Sequence, residues 1–497
     1  MIDAVGARLK LHASKYPNKS AVFQLDTGES LSYAELNKAI DSCVSWLLDT
    51  GIQPRKILAL VADNSIGTLT IYLACLRAGI IVNPYPTTIE PVELEKYLQL
   101  FDVELLVFPD ESKFASILEN VPGSHCYKNG TFVQNLIRDT KTSEPVDSCP
   151  NSPACMYYSS GTTGSPKGIL YSYRNMETLI ESMVEGFEFK SNDRHLVMLP
   201  MGHTAAINYS VLPSIWAGST LFLASSFWAI CGQFWELIQK HQITYVQTVP
   251  TILFALSHMP VPKEKPSGLE WIGCGSAPLP LTVQENFQKL TGIPVGNLYG
   301  LSESGPSHID HPLRAGWVPG SIGEPLSCNS CQILDDDGNP VNDGILGEIA
   351  LKGDNIFIGY YKNPLAYRNA VVDSYFRTGD IGYRDSSGRY FFQDRKKDLI
   401  IQGGVNIFPG EVEEILMEIH WILEAAVVGI PDPVLGQKIA AYVAPMSRAH
   451  DADHESILAH CRNRLSENKV PSKIIFVDDL PKGPSGKILK RSLRDHN

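Results

Sequence analysis

The chain is predicted to be an α/β protein with a large N-terminal domain of parallel-sheet βαβ layers, a β-rich subdomain, and a small α+β C-terminal domain. Three observations carry this. At 497 residues the chain exceeds one core, since cores stop growing near ~300 residues and domains commonly run about 100–200. Short β-rich runs alternate with helical patterns through much of its length, which implies parallel strands with helices on their faces. The pattern then changes character near residue 329 and again after Arg395-Lys396-Lys397-Asp398.

Taken in order, residues 57–62, 105–108, 221–224 and 245–248 are rich in branched and apolar side chains and read as strands, whereas 69–78 and 234–241 carry helical spacing. Residues 331–334 and 347–351 flank the turn sequence Asp337-Gly338-Asn339-Pro340 and form a predicted hairpin. A second pair is expected at 384–387 and 390–393, closed by Gly388. Beyond residue 398 the order is strand, helix (409–420), strand (425–429), strand (437–444), helix (453–465) and strand (473–476). That is a compact unit of about 100 residues, within the usual domain range. The expected division is 1–394, a connection at 395–398, and 399–497. There is no internal repeat or low-complexity segment.

Hydrophobic residues make up 44% of the chain and charged residues 19%, as in globular proteins with a sizeable core. The net charge of −12 and pI of about 5.6 argue against a nucleic-acid partner, which calls for a basic face. An anionic ligand must then be held by local donors. Residues 1–19 carry charges throughout and show no secretory pattern, so the ten scattered cysteines suit a reducing, cytoplasmic compartment. Residues 204–235 hold no charge, enough for a membrane span of about 20 residues. Asn208, Pro213, Gly218 and the serines around them break that run. A buried strand and helix lining a ligand pocket is expected instead, with no integral membrane segment. Cys328-Asn329-Ser330-Cys331 and His308-Ile309-Asp310-His311 have metal-like spacing but lack further ligands, and Gly305, Pro306 and Pro312 suggest a loop around the two histidines.

The most specific local signal is Ser159-Ser160-Gly161-Thr162-Thr163-Gly164-Ser165-Pro166-Lys167-Gly168, after the apolar run 154–158. Its glycines let backbone amides turn toward an anion, its hydroxyls add donors, and its lysine supplies charge. It is not the GK[ST] loop that opens a helix, because Pro166 precedes the lysine and Gly168 follows it.

This decapeptide resembles the phosphate loop of the acyl-adenylate-forming (AMP-binding) superfamily of acyl-CoA synthetases, nonribosomal adenylation domains and luciferases, and further motifs follow in the family's order. The resemblance implies Ser159, Ser160, Gly161, Thr162, Thr163, Gly164 and Lys167 at the ATP phosphates, with catalytic parts for Thr162 and Lys167. Asn83-Pro84 resembles an early motif of the acyl-CoA branch. Gly273-Cys274-Gly275-Ser276-Ala277-Pro278 resembles the adenine-side loop, which implies Gly275, Ser276, Ala277 and Pro278 at the nucleotide and Gly273 and Gly275 beside the acid. Asn297-Leu298-Tyr299-Gly300-Leu301-Ser302-Glu303 resembles the segment in which Asn297 meets the purine's amino edge, Tyr299 stacks on the ring and Glu303 holds Mg²⁺, a hard cation that takes one or two carboxylates plus substrate phosphates. Ser302 stands where threonine is usual and keeps the hydroxyl.

Arg377-Thr378-Gly379-Asp380 resembles the ribose-binding segment, with Asp380 as acceptor and Arg395 as its companion. Lys397 matches the hinge position, which makes the expected C-terminal domain mobile. Gly403 and Gly404 match the loop that admits the thiol acceptor. Lys487, in Leu480-Pro481-Lys482-Gly483-Pro484-Ser485-Gly486-Lys487, matches the catalytic lysine that bridges carboxylate and α-phosphate. The implied activity is an ATP-dependent acid–CoA ligase using Mg²⁺. Its partners are a small carboxylic acid and CoA; alternatives are a ligase loading a separate acyl carrier protein, or a non-catalytic nucleotide-binding module. His203, Thr204, Ala205 and Asn208 are implied in the acyl pocket. Pro200-Met201-Gly202-His203 departs from the family's Pro-x-Phe-His at Gly202. Ala205 falls where amino-acid-activating relatives carry an aspartate, and a methyl group cannot balance a buried ammonium, so an α-amino acid is disfavoured.

Overall fold

The computed structural model describes residues 3–109, 114, 124–138, 149–159, 166–262, 264–446, 453–482 and 488–494. Four sheets organise them. The first has seven strands in the order Gly359–Tyr360, Lys167–Ser172, Pro153–Ser159, Ile81–Pro86, Ile57–Ala62, Leu105–Pro109 and His125–Tyr127. The second has nine and runs from Glu324–Pro325 through Gly305–Ile309, Val295–Leu301, Ile272–Gly275 and Tyr245–Thr248 to Ser30–Ser32. Most of their strand pairs are parallel, and central strands such as Ile57–Ala62 are buried along their length. Such strands read as continuous apolar runs because helices cover both faces.

The third sheet is built from Asn329–Leu334, Gly347–Gly353, Tyr375–Arg384 and Tyr390–Arg395, with the short Val371–Val372 at its edge. It is antiparallel throughout. The second hairpin is therefore longer than predicted, and residues 385–388, expected to include a strand, form its turn. Gly379 and Gly382 interrupt the apolar alternation of its first strand and hide it in the sequence. Gly382 is there because a Cβ would come within 2.3 Å of the Phe391 carbonyl oxygen across the pair.

The fourth sheet follows a 3₁₀ turn at Lys396–Asp398 and holds Ile400–Gln402, Val405–Ile407, Ile422–Asp432, Gly436–Pro445 and Lys473–Phe476. Helices Pro409–Met417 and His454–Arg464 pack on it around Ile400, Val412, Leu416, Val427, Ile439 and Ile457, a core separate from that of the first two sheets. Among the described residues no helix is long and apolar enough to cross a membrane. The uncharged stretch from residue 204 instead forms helical turns and the buried Thr220–Leu223 strand.

Candidate functional site

One cavity of about 610 Å³ opens where the first three sheets and the Lys396–Asp398 turn converge. Asp380 and Arg395 line one side and are directly opposed in the antiparallel pair of Tyr375–Arg384 with Tyr390–Arg395. That register explains why residues fifteen apart in sequence meet. The Arg395 guanidinium lies 3.4 Å from Asp380, and the buried Tyr299 hydroxyl donates to the other carboxylate oxygen at 2.8 Å. The Asp380 amide donates to the Thr378 hydroxyl (3.1 Å), which donates to the Ile349 carbonyl (2.7 Å). Burial, helped by the Asp380 charge, holds the Tyr299 phenol well above its usual range, so it remains a donor.

Ser276 also lines the cavity and has φ +69°. A non-glycine residue held there costs of order 1–3 kcal/mol, and such positions gather at functional sites. Gly300 permits the next turn: a Cβ would stand 2.3 Å from the Gly305 oxygen. Ser302 and Glu303 follow on the cavity wall. The Tyr360 hydroxyl donates to Glu303 at 3.0 Å, and the Lys167 ammonium lies 4.8 Å from the centre of the Tyr360 ring. Tyr360 carries no signal in the sequence beyond a Gly-Tyr pair, yet it joins the lysine of the phosphate-loop motif to the glutamate. Ser159 ends one strand, and Lys167 begins the next opposite it. Ser160, Gly161, Thr162, Thr163 and Gly164, like Lys487, lie outside the described residues.

The donor set suits Mg²⁺. Glu303 presents one carboxylate beside a lysine-lined cavity, and no group of three His, Cys, Asp or Glu among the described residues forms an all-protein metal cage. That is the pattern of an ion shared with substrate phosphates.

His203, Thr204, Ala205 and Asn208 line the far end together with Tyr209 and Val249. Asn208 and Tyr209 sit in a π-helical segment, Ile207–Val211. Pro213, two residues on, has no amide to return to the Tyr209 carbonyl, and wide turns of this kind recur at functional sites. Gly202 stands where the resembling family has phenylalanine because the Pro86 backbone passes there, 2.2 Å from where a Cβ would be.

One expectation needs correction, the loop around His308, and several expected site residues fall outside the cavity lining. Gly273 and Gly275 do not line the cavity. A Cβ on Gly273 would meet the Tyr245 hydroxyl and Gln247 at 2.5 Å, and one on Gly275 the Leu298 carbonyl at 2.8 Å, so these glycines serve close packing. Ala277, Pro278, Asn297, Leu298 and Tyr299 likewise stand behind the lining, with the Asn297 amide donating to the Ser321 carbonyl at 3.0 Å. The His308 region is a buried strand, Gly305–Ile309, rather than a loop. Lys397 lies in the 3₁₀ turn and lines the cavity, its ammonium pulled below the usual lysine range by burial and by Arg395. Gly403 and Gly404 adopt φ +58° and +80° in an exposed turn away from the cavity.

Residues 9–361 match the family model described as AMP-binding enzyme, and 411–487 match the AMP-binding enzyme C-terminal domain. A sulfoacetate–CoA ligase of Cupriavidus necator is 32% identical over 100% of this chain and 98% of its own. The ATP-bound crystal structure of MatB from Rhodopseudomonas palustris is 27% identical and superposes with a TM-score of 0.91 over 100% of this chain and 99% of that one. The apo form of MatB, with the same identity and coverage, gives 0.80. The chain belongs to the AMP-binding enzymes of the acyl-adenylate-forming superfamily, as an AMP-forming acid–thiol ligase of the acyl-CoA synthetase kind that uses ATP and CoA.

Proposed function

We propose that the enzyme joins a short carboxylic acid to CoA in two steps served by alternate placements of the C-terminal unit. Acid and MgATP give acyl-AMP and pyrophosphate; the CoA thiol then attacks the acyl carbon and AMP leaves. The observation that carries this reading is the continuous cavity that runs from Asp380, Arg395 and Ser276 past Glu303 and Lys167 to His203, Thr204 and Asn208. Asp380, preset by Tyr299 and Thr378, accepts from the ribose hydroxyls, and Arg395 adds a donor. Lys167 offsets phosphate charge, and Glu303 holds Mg²⁺, which neutralises the phosphates when bound. Lys487 bridges carboxylate and α-phosphate as the carboxylate attacks.

The acid end supports a short substrate. Behind Tyr209 the space is filled by Phe187, Phe189, Tyr245 and Trp271, whose ring centres lie 4.8–6.0 Å apart along the chain of contacts. The polar side chains of Thr204, Asn208 and His203 favour an acid with a polar group near its carboxylate over a long alkyl chain. The similar chain named for sulfoacetate agrees with a small, polar acid. The closer superposition on the ATP-bound than on the apo relative supports reading the present arrangement as the one for adenylation.

Acid-dependent pyrophosphate exchange across straight-chain, branched, aromatic and dicarboxylic acids tests the reading. Exchange is expected with short polar acids and not with chains of about ten carbons, an order-of-magnitude limit set by the filled pocket end. Lys487→Ala should abolish that exchange and still convert supplied acyl-AMP to thioester; equal loss of both refutes the division.

A further inference from the structure

Two helices meet across the joint between the N-terminal body and the fourth sheet, and each is capped from the other side. The helix Pro409–Met417 follows Phe408, and the helix Leu281–Thr291 follows Pro280; neither residue offers a side-chain cap. The first amides of a helix have no partner within it and need one from elsewhere. For Pro409–Met417 the partner is Asp394, a buried residue of the strand before the turn, whose Oδ2 accepts the Gly410 amide at 2.7 Å. For Leu281–Thr291 it is Glu414, on the facing helix, whose Oε1 accepts the Leu281 amide at 3.2 Å. Carboxylates at helix N-termini also gain from the helix dipole.

These bonds join chain segments on opposite sides of the Lys396–Asp398 turn, so a rotation there separates both pairs. The Lys490–Arg494 helix, which follows the catalytic-lysine segment, is tied to the same region. Lys490 pairs with Glu413 at 2.7 Å, and Arg494 with Asp398 at 2.9 Å. A restraint on the Pro409–Met417 helix is thereby a restraint on the segment that carries Lys487.

We propose that Asp394 and Glu414 are positioning residues that form a reciprocal helix-cap latch, holding the C-terminal unit in the adenylation arrangement and releasing it for thioester formation. The inference rests on the two-placement reading above. It explains why both helices lack local caps: a cap of their own would satisfy the amides in either placement and remove the preference.

Glu414→Ala is the decisive variant, since Glu414 is only half-buried and is not among the residues that line the cavity. Single-turnover rates of acid-dependent pyrophosphate release and of thioester formation from supplied acyl-AMP are measured in the full chain. The ratio of the first rate to the second should fall about fivefold, the worth of one lost cap. Glu414→Gln, which keeps an acceptor, should recover most of the ratio. Asp394→Ala, which removes the acceptor of the Gly410 amide, should move the ratio the same way as Glu414→Ala. An unchanged ratio in Glu414→Ala, or an opposite shift in Asp394→Ala, overturns the latch. Lys397→Pro separates the two ideas. If it splits the half-reactions while Glu414→Ala does not, the latch alone fails; if it does not split them, the two-placement reading fails and the latch with it.

Discussion

Asp310 shows what a single buried carboxyl costs. It is 4% exposed, one of its oxygens has no partner among the described residues, and burial pushes its pKa up to about 7. An unfolded aspartate titrates near ~3.9. Between those values the folded chain keeps a proton that the unfolded chain loses, so the stability associated with Asp310 is full below about pH 4 and falls away as pH rises through about 7. Asp310→Asn should therefore be more stable than the parent at pH 8, by roughly 1–3 kcal/mol, with about a third of that gain already present at pH 5. Urea midpoints at the two pH values check this, and a gap that does not widen with pH counts against it. At this scale motifs pointed to Asp380, Arg395, Glu303 and Lys167, which line one cavity, because polar residues in a fixed spacing announce chemistry. At Gly273, which lies outside the cavity lining, a glycine letter does not say what occupies the space of its missing side chain; here Tyr245 and Gln247 do. Tyr360 was silent for the converse reason. A tyrosine is an ordinary strand residue until its hydroxyl is seen against Glu303.

Among the elements, the π-helical segment Ile207–Val211 lines the end of the cavity proposed for the acid. Tyr209→Ala should let longer acids compete, raising their exchange rates relative to the parent's best acid by about tenfold. It should cost on the order of 3–5 kcal/mol of stability, because a buried ring is lost from a packed cluster. A homologous acid series in the exchange assay, beside a thermal melt, measures both; a lower melt with unchanged acid preference would remove Tyr209 from the pocket wall. Regular elements were readable where the local pattern was pure. Ile57–Ala62, Tyr245–Thr248 and Lys473–Phe476 fall where predicted. The π segment was not readable, since its cause is a proline acting on a carbonyl four residues earlier in an otherwise apolar run.

For the whole molecule, the turn Lys396–Asp398 is the narrow connection between sheets with separate cores. Lys397→Pro fixes one backbone angle there and removes a donor, so it should slow thioester formation roughly tenfold or more while adenylation changes little. Rapid-quench measurement of the two half-reactions decides it, and parallel losses would contradict the assignment. The run of four charges made the connection visible in sequence. How the flanking units face each other was not, because it depends on bonds such as Leu281 to Glu414, between residues more than a hundred positions apart.

On the proposed reading of the acid pocket, the aromatic cluster behind Tyr209 is a ruler with one hard end. Phe187, Phe189, Tyr245 and Trp271 are buried and packed on one another, so on that reading an acid one group too long is refused by collision. One group too short merely forgoes contact worth about 1–3 kcal/mol. Discrimination is therefore lopsided, with a cliff above the preferred length and a gentle slope below it. The errors expected of such an enzyme are thioesters of acids smaller than its own.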